Sequence, residues 1–281
     1  MRPALDYEAT SRFLEGGYRL HYHEAGAGDP LVLLHGSGPG VSGWSNFRGN
    51  FPVFASRFRT VIMDMPGFGK SERPPLDRAY PRVAADHVIR LMDALGIEKA
   101  HLLGNSMGGY VAFELALAYP ERVDRLVGMG PGGLAANILG PDPSEGARRL
   151  GDFMMAPSKA AMEAWVDTMV ANKAVVDDSL IEERLANAQA PGALESAIAI
   201  FSSLGQHPEA VPLYARVRNI KAPTLITWGR DDRMLPVEGA LFGFRQMPNA
   251  ELHIFSKCGH WAQVERKADF ERLVIDFLTR P

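Results

Sequence analysis

Six short apolar runs, each bounded by Gly, Pro or Asp, set the strongest limit on what this chain can fold into. They cover 31–34, 60–63, 101–103, 126–129, 224–228 and 252–255. Each is too short for a helix and lacks the polar alternation of a half-exposed strand, so each reads as a buried strand. Helical patterns lie between them. Ala84, Val88, Leu91 and Leu95 recur at helical spacing, with Gly96 where a C-terminal cap belongs. The stretch 109–119 is a helix stopped by Pro120, and Phe270, Leu273, Val274 and Phe277 mark a terminal amphipathic helix. Continuous apolar strands alternating with helices predict an α/β fold: a mainly parallel sheet covered by helices on both faces.

The rhythm breaks from about Leu134 to Pro212. This stretch opens with Gly140-Pro141-Asp142-Pro143 and then runs helical through Phe153, Met154, Met155, Met162, Trp165, Met169, Ile181, Leu185, Ile198 and Ile200. It predicts an all-helical lid at 135–212, inserted into a core made of 1–134 and 213–281. The Met and aromatic side chains suit core packing between lid and sheet, or an adaptable apolar pocket wall, with room for both.

Charge narrows the partners. Thirty basic against 33 acidic residues give a net charge of −3, which removes the electrostatic footprint of a nucleic-acid binder. Residues 1–16 mix Asp6, Glu8, Arg12 and Glu15 among isolated apolar residues, unlike a signal peptide. No run approaches the roughly 20 apolar residues of a membrane span. A single cysteine excludes an intrachain disulfide and a multi-cysteine metal site. The expectation is a cytoplasmic protein with no metal, no cofactor and no membrane partner.

Gly104-Asn105-Ser106-Met107-Gly108 fits G-x-S-x-G, a weak pattern alone. Here it follows the strand 101–103 and precedes the helix from Gly109, the strand–turn–helix context of a nucleophile elbow. Such a turn exposes the Ser106 hydroxyl at the carboxyl end of the sheet, beside a helix N-terminus. A hydroxyl needs a base to take its proton, and the base needs an orienting acid. In this arrangement they follow in the order Ser, acid, His. Asp231 and Asp232 come after the strand 224–228, and His260 comes after 252–255 through Ser256-Lys257-Cys258-Gly259. Among the other histidines, His21, His23, His87, His101 and His253 fall within regular elements. His35 directly follows a strand and is suited to ordering the loop after it, which leaves His260 as the base. Cys258 is too near His260 on one loop to meet its imidazole.

His35-Gly36-Ser37-Gly38-Pro39-Gly40 supplies the second half of the site. Its glycine-rich turn can offer the backbone N–H of Ser37 to a developing oxyanion, paired with the N–H of Met107. A phosphate-cradling loop would need a G-K-[ST] ending, which is missing.

With these segments assembled, the sequence resembles the α/β-hydrolase fold, and within it the meta-cleavage product hydrolases, carbon–carbon bond hydrolases of aromatic-compound degradation. The resemblance spans most of the chain outside the lid. It is carried by the His35–Gly40 turn with Trp44-Ser45-Asn46, Asp64-Met65-Pro66-Gly67-Phe68-Gly69-Lys70-Ser71, the Ser106 elbow, Met129-Gly130-Pro131-Gly132-Gly133, Trp228-Gly229-Arg230-Asp231-Asp232-Arg233 and Ser256-Lys257-Cys258-Gly259-His260-Trp261-Ala262-Gln263. The Asp-x-Pro-Gly-x-Gly part is widespread in the fold. Asn105 before the serine and the run ending in His-Trp-Ala-Gln are much narrower.

The resemblance implies Ser106, Asp232 and His260 as the triad, Asp232 being chosen over Asp231 by the family match. It implies Asn46, Asn105 and Trp261 as polar contacts of a dienoate, and Arg184 as the lid cation for its carboxylate. The implied small-molecule substrates are 2-hydroxy-6-oxo-hexa-2,4-dienoates. Alkyl, aryl and carboxyalkyl groups at C6 all fit that class. A homodimer or higher homo-oligomer is implied as well. Met234 stands where the family often has Phe, which bears on the shape of the C6 pocket. Two other readings remain open: a general carboxylesterase or lactonase with the same triad, and a noncatalytic ligand-binding member of the fold.

Overall fold

A computed structural model describes residues 5–134, 143–209 and 211–281. Eight strands form one sheet: β1 (Ser11–Leu14), β2 (Leu20–Ala25), β3 (Pro30–Leu34), β4 (Arg59–Met63), β5 (Ala100–Asn105), β6 (Val123–Met129), β7 (Thr224–Gly229) and β8 (Ala250–Phe255), in spatial order β1-β2-β4-β3-β5-β6-β7-β8. From β4 to β8 every pairing is parallel.

The apolar runs become strands because both faces of the sheet are covered. Alternation along β3 sends Val32 and Leu34 to one side, where they pack with Val88, Leu91, Val111 and Leu115 of the helices Tyr80–Ala94 and Met107–Ala118. Leu31 and Leu33 go to the other side, against Phe47, Phe51, Phe54 and the terminal helix Lys267–Leu278. Every residue of β5 and β7 is buried. The helix Tyr80–Ala94 ends as its spacing predicts, with Gly96 at φ +66° and Ile97 N–H bonded to Met92 O at 2.8 Å.

Two features depart from the sequence reading. The two antiparallel strands β1 and β2 precede the six expected ones. They escape an apolar-run reading because β1 is a half-exposed edge strand with no buried residue, and in β2 polar side chains fill core positions. His21 Nδ1 is paired with Asp64 at 2.7 Å, and His23 Nδ1 with the Thr10 hydroxyl at 2.9 Å. The run at 252–255 is an open edge, not a buried strand, since only Phe255 of β8 is buried.

Residues 135–142, including Gly140, Pro141 and Asp142, lie outside the described part of the expected lid. The described part, 143–209, contains the helices Glu145–Met155, Lys159–Met169, Asp178–Ala188 and Ala193–Gln206, and no strand. Ser144, Ser158 and Asp177 cap three of them by accepting a backbone N–H three residues on. Leu150, Phe153, Met162, Trp165, Met169 and Ile181 form one apolar cluster, which takes in Trp261 from the core.

Candidate active site

Parallel pairing puts the carboxyl ends of the strands side by side: Leu34 pairs with Gly104, Asn105 with Met129, and Gly229 with Phe255. The loops that leave these ends carry the candidate residues, so the register of the sheet brings 35–40, 106, 232 and 260 to one place.

Ser106 stands between β5 and the helix Met107–Ala118 at φ 54°, ψ −114°. This left-handed geometry is costly for a residue with a Cβ. It is held by Ser106 N–H donating to Met129 O at 2.9 Å and by close packing of the flanking glycines. A Cβ on Gly104 would lie 2.3 Å from Gly108 O, and one on Gly108 would lie 2.2 Å from Leu34 O. Met107 is the first residue of its helix, so its N–H has no partner within the helix, and the positive end of the helix dipole is directed at the site.

His260 Nδ1 lies 2.7 Å from Asp232 Oδ2, with side-chain exposures of 1% and 0%. Asp232 Oδ1 accepts the N–H groups of Met234 and Leu235 at 2.8 and 2.9 Å. An ionised carboxylate only accepts, so this pair puts the imidazole proton on Nδ1 and leaves the Nε2 lone pair free. Nε2 is buried and has no partner among the described residues. Asp231 instead is exposed and paired with Arg230 at 3.1 Å.

A tight cavity of about 20 Å³ is bordered by Ser106, His260, Asn46, Asn105, Arg184 and Trp261, and Ser37 also borders it. No hydrogen bond joins Ser106 to His260. A serine hydroxyl turns about one bond, and such contacts commonly tighten only with substrate bound. Asn46 Oδ1 accepts Gly36 N–H at 3.0 Å, and Asn105 Nδ2 donates to Met129 O at 3.2 Å. Each amide thereby keeps one end for other partners.

Arg184 is 4% exposed, not a solvated lid residue. Its guanidinium stacks 4.7 Å from the Trp261 ring and 5.5 Å from Trp165, and Nη1 donates to Pro39 O at 3.2 Å. Nε has no partner, and among the described residues no carboxylate pairs with it. Burial pulls its pKa down to about 10, still charged at neutral pH.

His35 stays out of the cavity. It accepts Met65 N–H at Nε2 and contacts Gly36 O at 2.6 Å through Nδ1, and burial pushes its pKa down. It orders its loop as a neutral ring. Cys258 is buried, and burial pushes its thiol up to about 12, so it is no thiolate nucleophile. Among the described residues no group of three His, Cys, Asp or Glu side chains is placed to hold a metal ion.

Leu150, Trp165, Met169 and Met234 make the apolar side of the cavity. Sequence reading placed Trp165 and Met169 in the lid without separating pocket wall from core. Helical spacing alone carries no signal that does so. A wider groove of about 760 Å³ shares Ser37, Gly38, Val41 and Leu150 with the cavity, and runs between Asn187–Ala197 of the lid side and 67–73 of the core.

An elbow serine, a buried Asp–His pair and a helical cover over a parallel sheet define an α/β-hydrolase. The description of that fold family matches residues 29–267, and the chain belongs to it. It is 41% identical to the 2-hydroxy-6-oxo-6-phenylhexa-2,4-dienoate hydrolase of Burkholderia cepacia, over 98% of each chain. It is 40% identical to a 2-hydroxy-6-oxononadienedioate/2-hydroxy-6-oxononatrienedioate hydrolase of Comamonas testosteroni, again over 98% of each. A solved meta-cleavage product hydrolase of Pseudomonas fluorescens IP01 superimposes with a TM-score of 0.83 at 36% identity, covering 93% of this chain and 94% of that one. Within the fold, the chain belongs to the meta-cleavage product hydrolases.

Proposed function

We propose that this protein hydrolyses the C5–C6 bond of 2-hydroxy-6-oxo-hexa-2,4-dienoates, with Ser106 as nucleophile, His260 as base and Asp232 as its orienting acid. The relatives' names share the 2-hydroxy-6-oxo dienoate unit and differ beyond C6. Only the shared unit is carried over. One observation carries the reading furthest: a buried, charged Arg184 without a carboxylate partner borders the same cavity as Ser106 and His260. A buried cation lacking its counterion is costly, and an anionic substrate removes that cost.

In this reading Arg184, stacked on Trp261, takes the C1 carboxylate, while Asn46 and Asn105 hold the dienoate's oxygens. Ketonisation moves a proton onto C5 and gives the 2,6-dioxo form. His260 Nε2 takes the Ser106 proton as the oxygen attacks C6, and the backbone N–H groups of Ser37 and Met107 receive the oxyanion. The C5–C6 bond breaks. Its electron pair runs through C4 and C3 onto the C2 oxygen, which takes the proton held by His260 and leaves as 2-hydroxypenta-2,4-dienoate. A water that gives its proton to the neutral His260 then attacks the acyl carbon and frees the acid, with the proton returned to Ser106. The cavity is far smaller than the several hundred Å³ of an ordinary ligand site, so side chains of the lid wall give way as substrate arrives along the groove.

Residues 135–212 act as the lid and the remainder as the catalytic core. No helix of the described residues is long and apolar enough to cross a membrane. The single cysteine fits a reducing compartment, and we take the protein to be cytoplasmic and a homo-oligomer. Stopped-flow ultraviolet spectroscopy on the yellow dienolate tests the function directly. Decay of the dienolate with appearance of hydroxypentadienoate is expected. Turnover of simple esters without dienoate cleavage would establish a carboxylesterase instead.

A further inference from the structure

The mechanism above uses no residue beyond Trp261, yet one carboxylate past it is tied to the His260 loop. Glu265 closes the four-residue helix Ala262–Glu265. Its Oε1 accepts the N–H of Gly259 at 2.7 Å, the residue directly before His260. Its Oε2 accepts the N–H groups of Ala171 and Asn172, both at 2.7 Å. These two follow the lid helix Lys159–Met169, whose Trp165 and Met169 border the cavity. Next to this contact, His260 N–H donates to Met169 O at 2.8 Å. On its other side the loop is tied to the acid's loop, where Asp231 N–H donates to Cys258 O at 2.9 Å.

We propose that Glu265 is a positioning residue, a carboxylate clasp that fixes the His260 loop to the lid segment 169–172 and so sets the reach of Nε2 towards Ser106. The proposal rests on the reading of Ser106, Asp232 and His260 as the triad. Glu265 does not border the cavity and touches no substrate in this arrangement. A carboxylate suits the task because both its oxygens accept, and three N–H donors converge on it from two segments. An amide accepts on one oxygen only, and its NH₂ would face one of these donors. Placement matters here because a shift of about 1 Å between reacting groups costs on the order of 100-fold in rate.

The test compares parent, Glu265→Gln, Glu265→Ala and Ser106→Ala. A neutral p-nitrophenyl ester counts active sites by its acylation burst, and kcat and KM per active site are then read on both the ester and the dienoate. Thermal unfolding is followed alongside. For Glu265→Gln, roughly a 10- to 100-fold loss of kcat per active site is expected on both substrates, with KM within about threefold and a larger kcat loss in Glu265→Ala. A kcat per active site within about twofold of the parent in Glu265→Gln overturns the proposal, whatever the change in unfolding temperature. A loss confined to KM also overturns it, since that would make Glu265 a lid staple. Glu265→Gln is near-isosteric and keeps the experiment readable should the alanine variant not fold. Ester turnover surviving in Ser106→Ala would overturn the triad reading itself, a result the Glu265 variants cannot mimic.

Discussion

The two walls of the cavity are built differently. The strand-end wall is oriented by its own hydrogen bonds before any substrate arrives: Ser106 N–H is taken by Met129 O, Asp232 uses both oxygens, and His260 is held at Nδ1 and at its backbone N–H, with Nε2, the atom aimed at the serine proton, left unpaired. The lid wall leaves donors open instead. Arg184 Nε and Trp165 Nε1 are both buried without a partner among the described residues, where nearly every buried donor in a folded protein finds one. In the proposed reading, preorganised chemistry belongs to the strand-end side, and recognition is completed when a ligand supplies acceptors. The difference assigns rate to one wall and substrate choice to the other, and each assignment can be broken by substitution.

The largest effects belong to the strand-end wall and should be blind to substrate. Ser106→Ala is expected to lower kcat on the order of 10⁶-fold on dienoate and ester alike, with binding of the dienoate retained in a direct titration. Asp232→Asn follows at about 10⁴-fold, because an amide can stabilise the wrong imidazole tautomer. Asp231→Asn changes little, since Asp231 is exposed and bonded to Arg230. A greater kcat loss from Asp231 than from Asp232 would place the acid on the wrong member of the pair.

The same division explains what could be read from the sequence. The strand-end wall follows from local pattern. Apolar runs end at turns, and a glycine-flanked serine or a histidine just past a run must emerge at the sheet's carboxyl edge. The choice between Asp231 and Asp232 came only from the family match; in the structure Asp232 meets His260. The lid wall depends on how helices turn relative to the core. Spacing put Trp165 and Met169 on a helix but not in the cavity, and Arg184 came from resemblance alone. Strand β2 was hidden because His21 and His23 fill core positions through specific partners, which hydrophobic patterning does not register, and β1 because it is an edge strand with no buried residue. Glu265 shows the same limit: its meaning lies in Ala171 and Asn172, more than 90 positions away in sequence.

On the lid wall, effects should be smaller and should depend on the substrate. Arg184→Gln removes the buried cation while keeping most of its length. Losing a charge-assisted bond to a carboxylate costs about 2–3 kcal/mol, or roughly 30- to 150-fold in kcat/KM on the dienoate. A neutral p-nitrophenyl ester, with no carboxylate to bind, should be spared to within a few-fold. Equal losses on both substrates would make Arg184 a structural part of the lid. No loss on either would return substrate choice to the apolar side chains.

The sharpest version of the comparison lies where the two walls touch. Gly40, at φ +65° in the loop after β3, passes so close to the lid helix Asp178–Ala188 that a Cβ there would lie 2.1 Å from Arg184 O and 2.9 Å from its carbonyl carbon. Both neighbours are backbone, so Gly40→Ala must move the helix or the loop. The left-handed backbone adds a cost of about 1–2 kcal/mol for any residue with a Cβ. The helix is held here by Arg184 Nη1 to Pro39 O at 3.2 Å, by Asn187 Nδ2 to Gly40 O at 3.4 Å and by the solvent-exposed Arg48–Glu183 ion pair at 2.9 Å, contacts of the weak, yielding kind. The loop is anchored through His35 and through Asn46 to Gly36. The helix should therefore be the part that yields, carrying the guanidinium away from its place. KM for the dienoate should rise roughly 5- to 10-fold, about 1 kcal/mol of lost binding, while ester turnover per active site stays within about twofold. A matching fall in ester kcat would show the strain running back along the loop to the N–H of Ser37, and the two walls would then be one mechanical unit rather than two.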